Sequence, residues 1–424
     1  MSNIRYDIFY HFAWWLCVIT FPWTIQLNSA CIILLAVAWL AEGKWRTKWE
    51  RLKSASWIVP FFVFFGIHLF GLLYSQNLHS GLFEIEKKLT FVVLPLISAS
   101  GKPLDQSFFN FLKKSFVYSC ALLTISSLVY TAFHFTYSLP IINFDAQTEE
   151  SFHQLNPSAS PLWEYFSYIQ IGNWIDLHPA YFSLHIIFSI LILLEQMMDQ
   201  NKINRVSMLL IVFFTSFLAL LAARMAIVSF AIILLYFITN QLQKRKWIPN
   251  VVALTCILIT FLGLIWLNPV SRFRVIQEPQ VTRLKIHQQV TQWNSVNLRL
   301  LEWQASWSIV KKSWLIGVGT GDGQDAMKRY YASFNASTMN MDFNSHNQYF
   351  ETLIELGMIG FFLLLCCFFF LPVFRPGYSI LYLSFILLFS LMCLTESMLA
   401  RQKGIVFFTL FQSLFLSVRF TAPR

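Results

Sequence analysis

The chain has 424 residues, 56% of them hydrophobic and only 12% charged, and its mean hydropathy is +0.56. A soluble core cannot hide this much apolar surface, so the composition excludes an ordinary soluble domain and points to a polytopic membrane protein. The formal charge of +10 does not imply nucleic acid. No compact basic stretch is interleaved with aromatic residues in a soluble region, and membrane proteins gather Lys and Arg in cytoplasmic loops.

Apolar runs predict spans at 8–25 and 27–42, followed by the basic run 44–53, which reads as a cytoplasmic loop and puts the N-terminus on the same side. The first run reads as a span that stays rather than a cleaved signal. A third span is expected at 57–74. A short link with Glu84, Glu86, Lys87 and Lys88 leads into a fourth at 89–100, and a fifth follows at 115–135. From Ser115 to Gln200 there is no Lys or Arg, while 136–177 holds Asp145, Glu149, Glu150, Glu164 and Asp176, a charge pattern expected of an outer loop. Further spans are expected at 179–198, 206–221, 225–240 and 248–267.

The one long polar segment is 268–345. Its basic residues run against the positive-inside rule, but that rule is weak for long loops, and the parity of spans puts the segment outside. Three more spans, at 348–372, 378–396 and 404–419, complete the chain. The expectation is an all-α integral membrane protein with about 12 transmembrane helices, both termini cytoplasmic. It divides into a membrane domain at 1–267, a loop domain at 268–345 containing amphipathic helices, and a membrane domain at 346–424. No internal repeat suggests the inverted halves of a transporter. The seven cysteines all lie in apolar runs and none has metal-ligand spacing with His, so they read as packing residues.

Four places carry residues whose chemistry asks for a reason. Arg224 stands in Leu-Ala-Ala-Arg-Met-Ala-Ile-Val, between two spans with apolar sequence on both sides, where a guanidinium is costly unless it faces a cavity, a partner or the headgroups. Arg299, Trp303 and Trp307 fall at i, i+4 and i+8 of an amphipathic helix suited to a membrane surface. The turn Gly317-Val-Gly-Thr-Gly-Asp-Gly323 lacks the spacing and the strand–helix setting of a nucleotide loop, and reads as a turn that redirects the chain, with backbone N–H groups available to a site. Asn344-Ser-His-Asn-Gln348 then opens an apolar run. His346 therefore sits where a membrane helix meets water, and a helix N-terminus favours the neutral imidazole that a general base needs. The bland reading is a helix cap.

The His346-Asn347 pair followed by Glu355, Gly357 and Gly360 resembles the C-terminal signature of the O-antigen ligase / O-antigen polymerase family of integral membrane glycosyltransferases. The order Arg299, Trp303, Gly-rich turn, and the Ala-Arg224-Met turn, are similar to that family as well, and Leu177-His178-Pro-Ala-Tyr181 looks like its His-Pro-x-Tyr. The sharp motifs occupy mainly 220–230, 297–323 and 344–360.

The resemblance implies a GT-C-like membrane enzyme of the bacterial inner membrane with a periplasmic active site, using a glycan on a polyprenyl (undecaprenyl) diphosphate as donor. It implies His346 as catalytic base, and Arg224 and Arg299 on the donor diphosphate, where a guanidinium binds phosphate oxygens bidentately. His178, Lys87, Lys88, Asn347 and Trp303 are candidate substrate contacts. Lys87 and Lys88 have the alternative of pairing with Glu84 and Glu86, and Glu396 and Arg401 read as a structural ion pair. No Asp-x-Asp pair appears, so no metal and no cofactor are expected. The partners are the lipid-linked donor, a glycolipid or glycan acceptor and membrane lipids. Ligase, with lipid A-core as acceptor, polymerase and protein O-oligosaccharyltransferase share this frame. A lipid-linked oligosaccharide flippase is the reading from another class, and it calls for charges near midspan and a repeat.

Overall fold

The structure is a computed structural model that describes residues 2–135, 152–200, 204–243, 248–281, 295–333, 343–374 and 377–421. Among these residues it is all-helical, without a strand. The acidic stretch at Asp145, Glu149 and Glu150, the basic positions Lys202 and 244–246, and the turn at Arg375-Pro376 lie outside the described residues, as do 282–294 and 334–342 of the long polar segment.

A helix occurs at each expected span, although not every one is long enough to cross a membrane. Among the described residues five helices have the length and apolar character for it: Gln106–Phe133, Pro179–Asp199, Arg224–Leu242, Ile248–Leu267 and Gln348–Phe370. Thr90–Ser100, at 11 residues, spans about 16 Å, roughly half a hydrocarbon core. It continues from Leu78–Lys88 through Leu89, which keeps right-handed helical dihedrals, so the expected link bearing Glu84, Lys87 and Lys88 is itself helical. The basic run is also a helix, Trp45–Ser54, bent by 113° from Ile25–Ala41. The bend is made by two left-handed residues in a row, Gly43 and Lys44.

Side-chain caps set several helix starts. Asn77, Asn204 and Asn268 each accept a backbone N–H one or two positions into the helix they precede.

The helices form two compact units. The first comprises 1–115, 299–378 and 393–424, and the second 116–298 and 379–392. In the first, Ser2–Thr20 packs on Ile25–Ala41, Gln402–Thr421 on Thr90–Ser100, and Gln348–Phe374 on Val59–Leu72. In the second, Pro179–Gln200 packs on Arg205–Leu221 and on Ile380–Met392, and 179–195 is continuously buried. Arg224–Leu242 packs on Ile248–Leu267, whose other face exposes Ile259, Leu262 and Trp266. An apolar face of that kind is stable against lipid and not against water.

Candidate active site

In the first unit the helix beginning at Gln348 is built around its capping residue. The Asn347 side chain accepts the N–H groups of Tyr349 and Phe350 at 2.9 and 3.1 Å, and its amide nitrogen donates to the Leu394 carbonyl at 2.9 Å. Gln348 grips the same turn from two sides: its N–H donates to the Cys393 carbonyl, and its side-chain oxygen accepts from the Leu399 N–H. Asn347 is thus the cap, not His346, and its carboxamide is fully engaged with backbone. Together Asn347 and Gln348 clamp the 393–399 turn against the helix start, and that turn carries Glu396.

His346 precedes the cap in a left-handed conformation, φ 42°, uncommon for a non-glycine residue. The Asn344 side chain accepts its N–H at 3.0 Å. The imidazole, 27% exposed, places Nδ1 3.3 Å from Glu396 Oε2, and Glu396 Oε1 accepts from Arg299 Nη2 at 2.8 Å. Arg299, Glu396 and His346 therefore form one chain of charge and hydrogen bonding. With its carboxylate held by Arg299, Glu396 accepts the proton of Nδ1, which leaves the lone pair of the imidazole on Nε2. Glu396 engages Arg299 and His346 rather than standing only as a partner to Arg401. Sequence alone does not show this, because 97 and 50 positions separate it from those residues.

Nε2 faces a second carboxylate that sequence reasoning passed over. Glu302 lies one turn beyond Arg299 on the Ser295–Lys312 helix, is fully buried, and has Oε1 3.9 Å from His346 Nε2. Neither of its oxygens has a hydrogen-bond partner. Burial pushes its pKa up to about 7, against the opposing pull of His346 and Arg299. The signal was available in the pattern: Leu301, Glu302, Ala305, Ser306, Ile309 and Val310 are the buried positions, so a glutamate stands on the inward stripe. The face expected through Arg299, Trp303 and Trp307 drifts outward from that stripe, and Trp307 is exposed.

Other buried polar atoms here lack partners: Arg299 Nη1, Trp303 Nε1 and the Tyr331 hydroxyl. A buried donor without an acceptor costs roughly 1–3 kcal/mol, so such a concentration is expected where a polar ligand completes the bonding. Glu351, by contrast, accepts from Ser345 and Ser397. Among the described residues no group of three His, Cys, Asp or Glu side chains is placed to hold a metal ion.

Below the site the helix is broken. Gly357 takes φ 64° and ψ −160°, splitting Gln348–Phe374 into two pieces. The glycine-rich turn supplies what the break removes. The N–H groups of Val318 and Gly319 donate to the Ile354 and Glu355 carbonyls at 2.8 and 3.0 Å, and those of Met358 and Ile359 donate to the Trp314 and Leu315 carbonyls at 2.8 and 3.4 Å. The turn therefore patches a broken apolar helix, which inside a membrane has no water to do so. Those N–H groups are engaged here rather than offered to a ligand. Asp322 then takes the N–H groups of Gln76 and Asn77, each at 2.8 Å.

Lys87 and Lys88 follow their alternative reading. Lys88 Nζ lies 2.6 Å from Glu84 Oε2, and Lys87 pairs with the other Glu84 oxygen while donating to the Ala400 carbonyl.

Arg224 and His178 belong to the second unit. The helix Arg205–Leu221 stops there at Ala222, which has φ 48°, and the next begins at Arg224. Asn268 and Ser271 donate to the freed Ala219 carbonyl and Arg274 to that of Ala222. Arg224 donates from Nε to the Arg274 carbonyl at 2.6 Å and pairs through Nη2 with the buried Glu278, which also accepts from Ser295 at 2.6 Å. His178 opens Pro179–Gln200, with Nδ1 accepting from the Ala180 N–H at 3.3 Å.

Residues 209–365 match the family model described as O-antigen ligase. Among the curated proteins nothing matches this chain. The matched stretch includes Arg224, Arg299, Glu302, Trp303 and His346.

Proposed function

We propose, from the match of residues 209–365 to the O-antigen ligase family model, that the chain moves a glycan from a polyprenyl diphosphate to an acceptor hydroxyl, with His346 as the base. The observation that carries this reading is the Arg299–Glu396–His346 chain, 2.8 and 3.3 Å, at the mouth of an apolar helix. It gives one imidazole nitrogen a fixed proton and leaves the other basic.

His346 Nε2 removes the acceptor's hydroxyl proton as that oxygen attacks the anomeric carbon. The new C–O bond forms, the anomeric C–O bond to phosphate breaks, and the electron pair departs with the lipid diphosphate. Attack opposite the leaving group inverts the configuration. A placed base contributes roughly a hundred- to ten-thousand-fold. Arg299 keeps Glu396 with Nη2, and its partnerless Nη1 and the partnerless Nε1 of Trp303 are the donors proposed for the substrate. Arg224 is proposed for the diphosphate on its guanidinium chemistry and its apolar setting. Lys87, Lys88 and Asn347 are engaged within the protein, and Trp303 and His178 are kept as proposed substrate contacts. The guanidinium groups take the part a divalent metal plays elsewhere, so transfer survives EDTA.

The acceptor proposed is lipid A-core, on the periplasmic face of the bacterial inner membrane, with about twelve spans, both termini cytoplasmic and 268–345 as the periplasmic segment. Deleting the gene and staining the surface glycan tests it. Core without long chains supports the ligase, and chains of a single repeat point to a polymerase. Donor accumulated on the inner face overturns the reading in favour of a flippase. Reporter fusions at Gln154 and Gln288 should read outside; a cytoplasmic Gln288 removes the active-site assignment.

A further inference from the structure

The reaction as drawn uses Glu396 and Arg299 on one side of the imidazole and leaves the other side unexplained. On that side stands Glu302, fully buried, with both carboxylate oxygens lacking a hydrogen-bond partner and Oε1 3.9 Å from Nε2. A carboxylate in such a place is expensive when charged, and a merely structural one is normally hydrogen-bonded. The distance is too long for a hydrogen bond and short enough for strong coupling in a water-poor interior.

We propose that Glu302 is a positioning residue that acts through His346: in its ionised form it balances the imidazolium formed as the acceptor loses its proton. This rests on the assignment of His346 as base. No further atom transfer is involved. The proton leaves the acceptor oxygen for Nε2, and the imidazolium then stands between two carboxylates, Glu396 and Glu302.

The groups facing Glu302 fit this role. Arg299 on its own helix and His346 favour its charge, whereas Glu396 and Glu351 oppose it, and Tyr331 from Gly323–Ala332 couples to it as well. Burial is the largest influence and lifts its pKa to about 7. The carboxyl is therefore neutral in acid, where it gives His346 no help, and ionised above neutrality, where it does. Transfer should switch on across the pH range in which Glu302 loses its proton.

The test measures kcat and KM against pH for the purified full chain in lipid nanodiscs, with a short-chain polyprenyl diphosphate glycan and a hydroxyl acceptor. Wild type, Glu302→Gln, Glu302→Asp and His346→Ala are compared. The wild-type rate should fall below about pH 7. Glu302→Gln should lower the plateau kcat by about tenfold or more, change KM by less than about threefold, and move the acid limb down by about one pH unit. Glu302→Asp, which keeps the charge, should restore the limb towards its wild-type position. If Gln does not accumulate, Asp carries the test alone, since it must retain the limb. An unmoved limb in Gln, a lost limb in Asp, or a wild-type kcat in Gln overturns the proposal. If wild type transfers, His346→Ala does not and Glu302→Gln keeps its limb, only Glu302 is misassigned. If wild type transfers nothing from the lipid-linked donor, the functional reading fails and Glu302 loses its role with it.

Discussion

Glu396 Oε2 and His346 Nδ1 lie 3.3 Å apart, on side chains separated by 50 positions and brought together by the Asn347–Gln348 clamp on the 393–399 turn. The pair fixes which imidazole nitrogen is basic. Glu396→Gln keeps the shape, removes the charge that favours the imidazolium, and permits the amide to present N–H where oxygen stood. Transfer should fall by about a hundredfold or more, chiefly in kcat, with donor binding reduced only through a loosened Arg299. Donor binding and turnover measured separately check this. A loss confined to KM would assign Glu396 to substrate binding.

His346→Ala should leave donor affinity nearly unchanged while turnover falls by about two or more orders of magnitude. Asn347 caps the helix, so the stability cost is not that of a lost cap. It comes instead from φ 42°, which alanine tolerates poorly, at about 1 kcal/mol. His346→Asn separates the two effects, because asparagine accepts that conformation. Both variants should be inactive and Asn the better folded. Near-normal transfer by either would move the search for a base to another residue.

The course of the chain was legible from hydropathy: a helix lies over each expected apolar run, with ends set within a few residues by Asn caps and Pro. Arg299, Trp303 and His346 were legible from their setting in the sequence, next to the ends of apolar runs. Glu396 was visible as a charge but not as their partner, since no local period links the 393–399 turn to a residue 97 positions earlier. Glu302 was hidden for a different reason. An i, i+4 reading from Arg299 selects Trp303 and Trp307, whereas the buried stripe runs one residue earlier, through Glu302 and Ala305. The break at Gly357 was not legible in the apolar run, because the carbonyls it frees are satisfied by N–H groups 36 positions upstream.

That break predicts a sharp contrast between two glycines in apolar helices. A methyl group on Gly357 would stand 2.3 Å from the Leu315 carbonyl carbon and would have to hold φ 64°. The atoms it meets are backbone, so nothing yields without pulling the Trp314–Gly319 turn off the helix. Gly263 in Ile248–Leu267 has open space where its methyl would go. Gly357→Ala should therefore lose most of the folded protein, by about 3 kcal/mol or more, and Gly263→Ala should be neutral or slightly stabilising. Detergent-resistant protein after mild heating measures both. Equal yields would mean that the turn does not patch the helix.

The titration of Glu302 also has a consequence for stability that requires no substrate. Its carboxyl is lifted by burial from 4.5 to about 7 in the folded chain. Between those values the folded protein holds a proton that the unfolded chain has released, so the contribution to stability is present below about pH 4.5 and is lost as pH rises through about 7. The loss is at most about 3.4 kcal/mol, from 1.36 kcal/mol per pKa unit. Glu302→Gln cannot titrate. Whatever fixed penalty a buried amide brings is the same at pH 5 and pH 8, so the Tm of the variant relative to wild type should rise between the two. The measurement is thermal unfolding of both proteins in the same nanodiscs at the two pH values. A Tm difference that stays constant would mean that Glu302 does not titrate between pH 5 and pH 8, which would also remove the pH switch proposed for it.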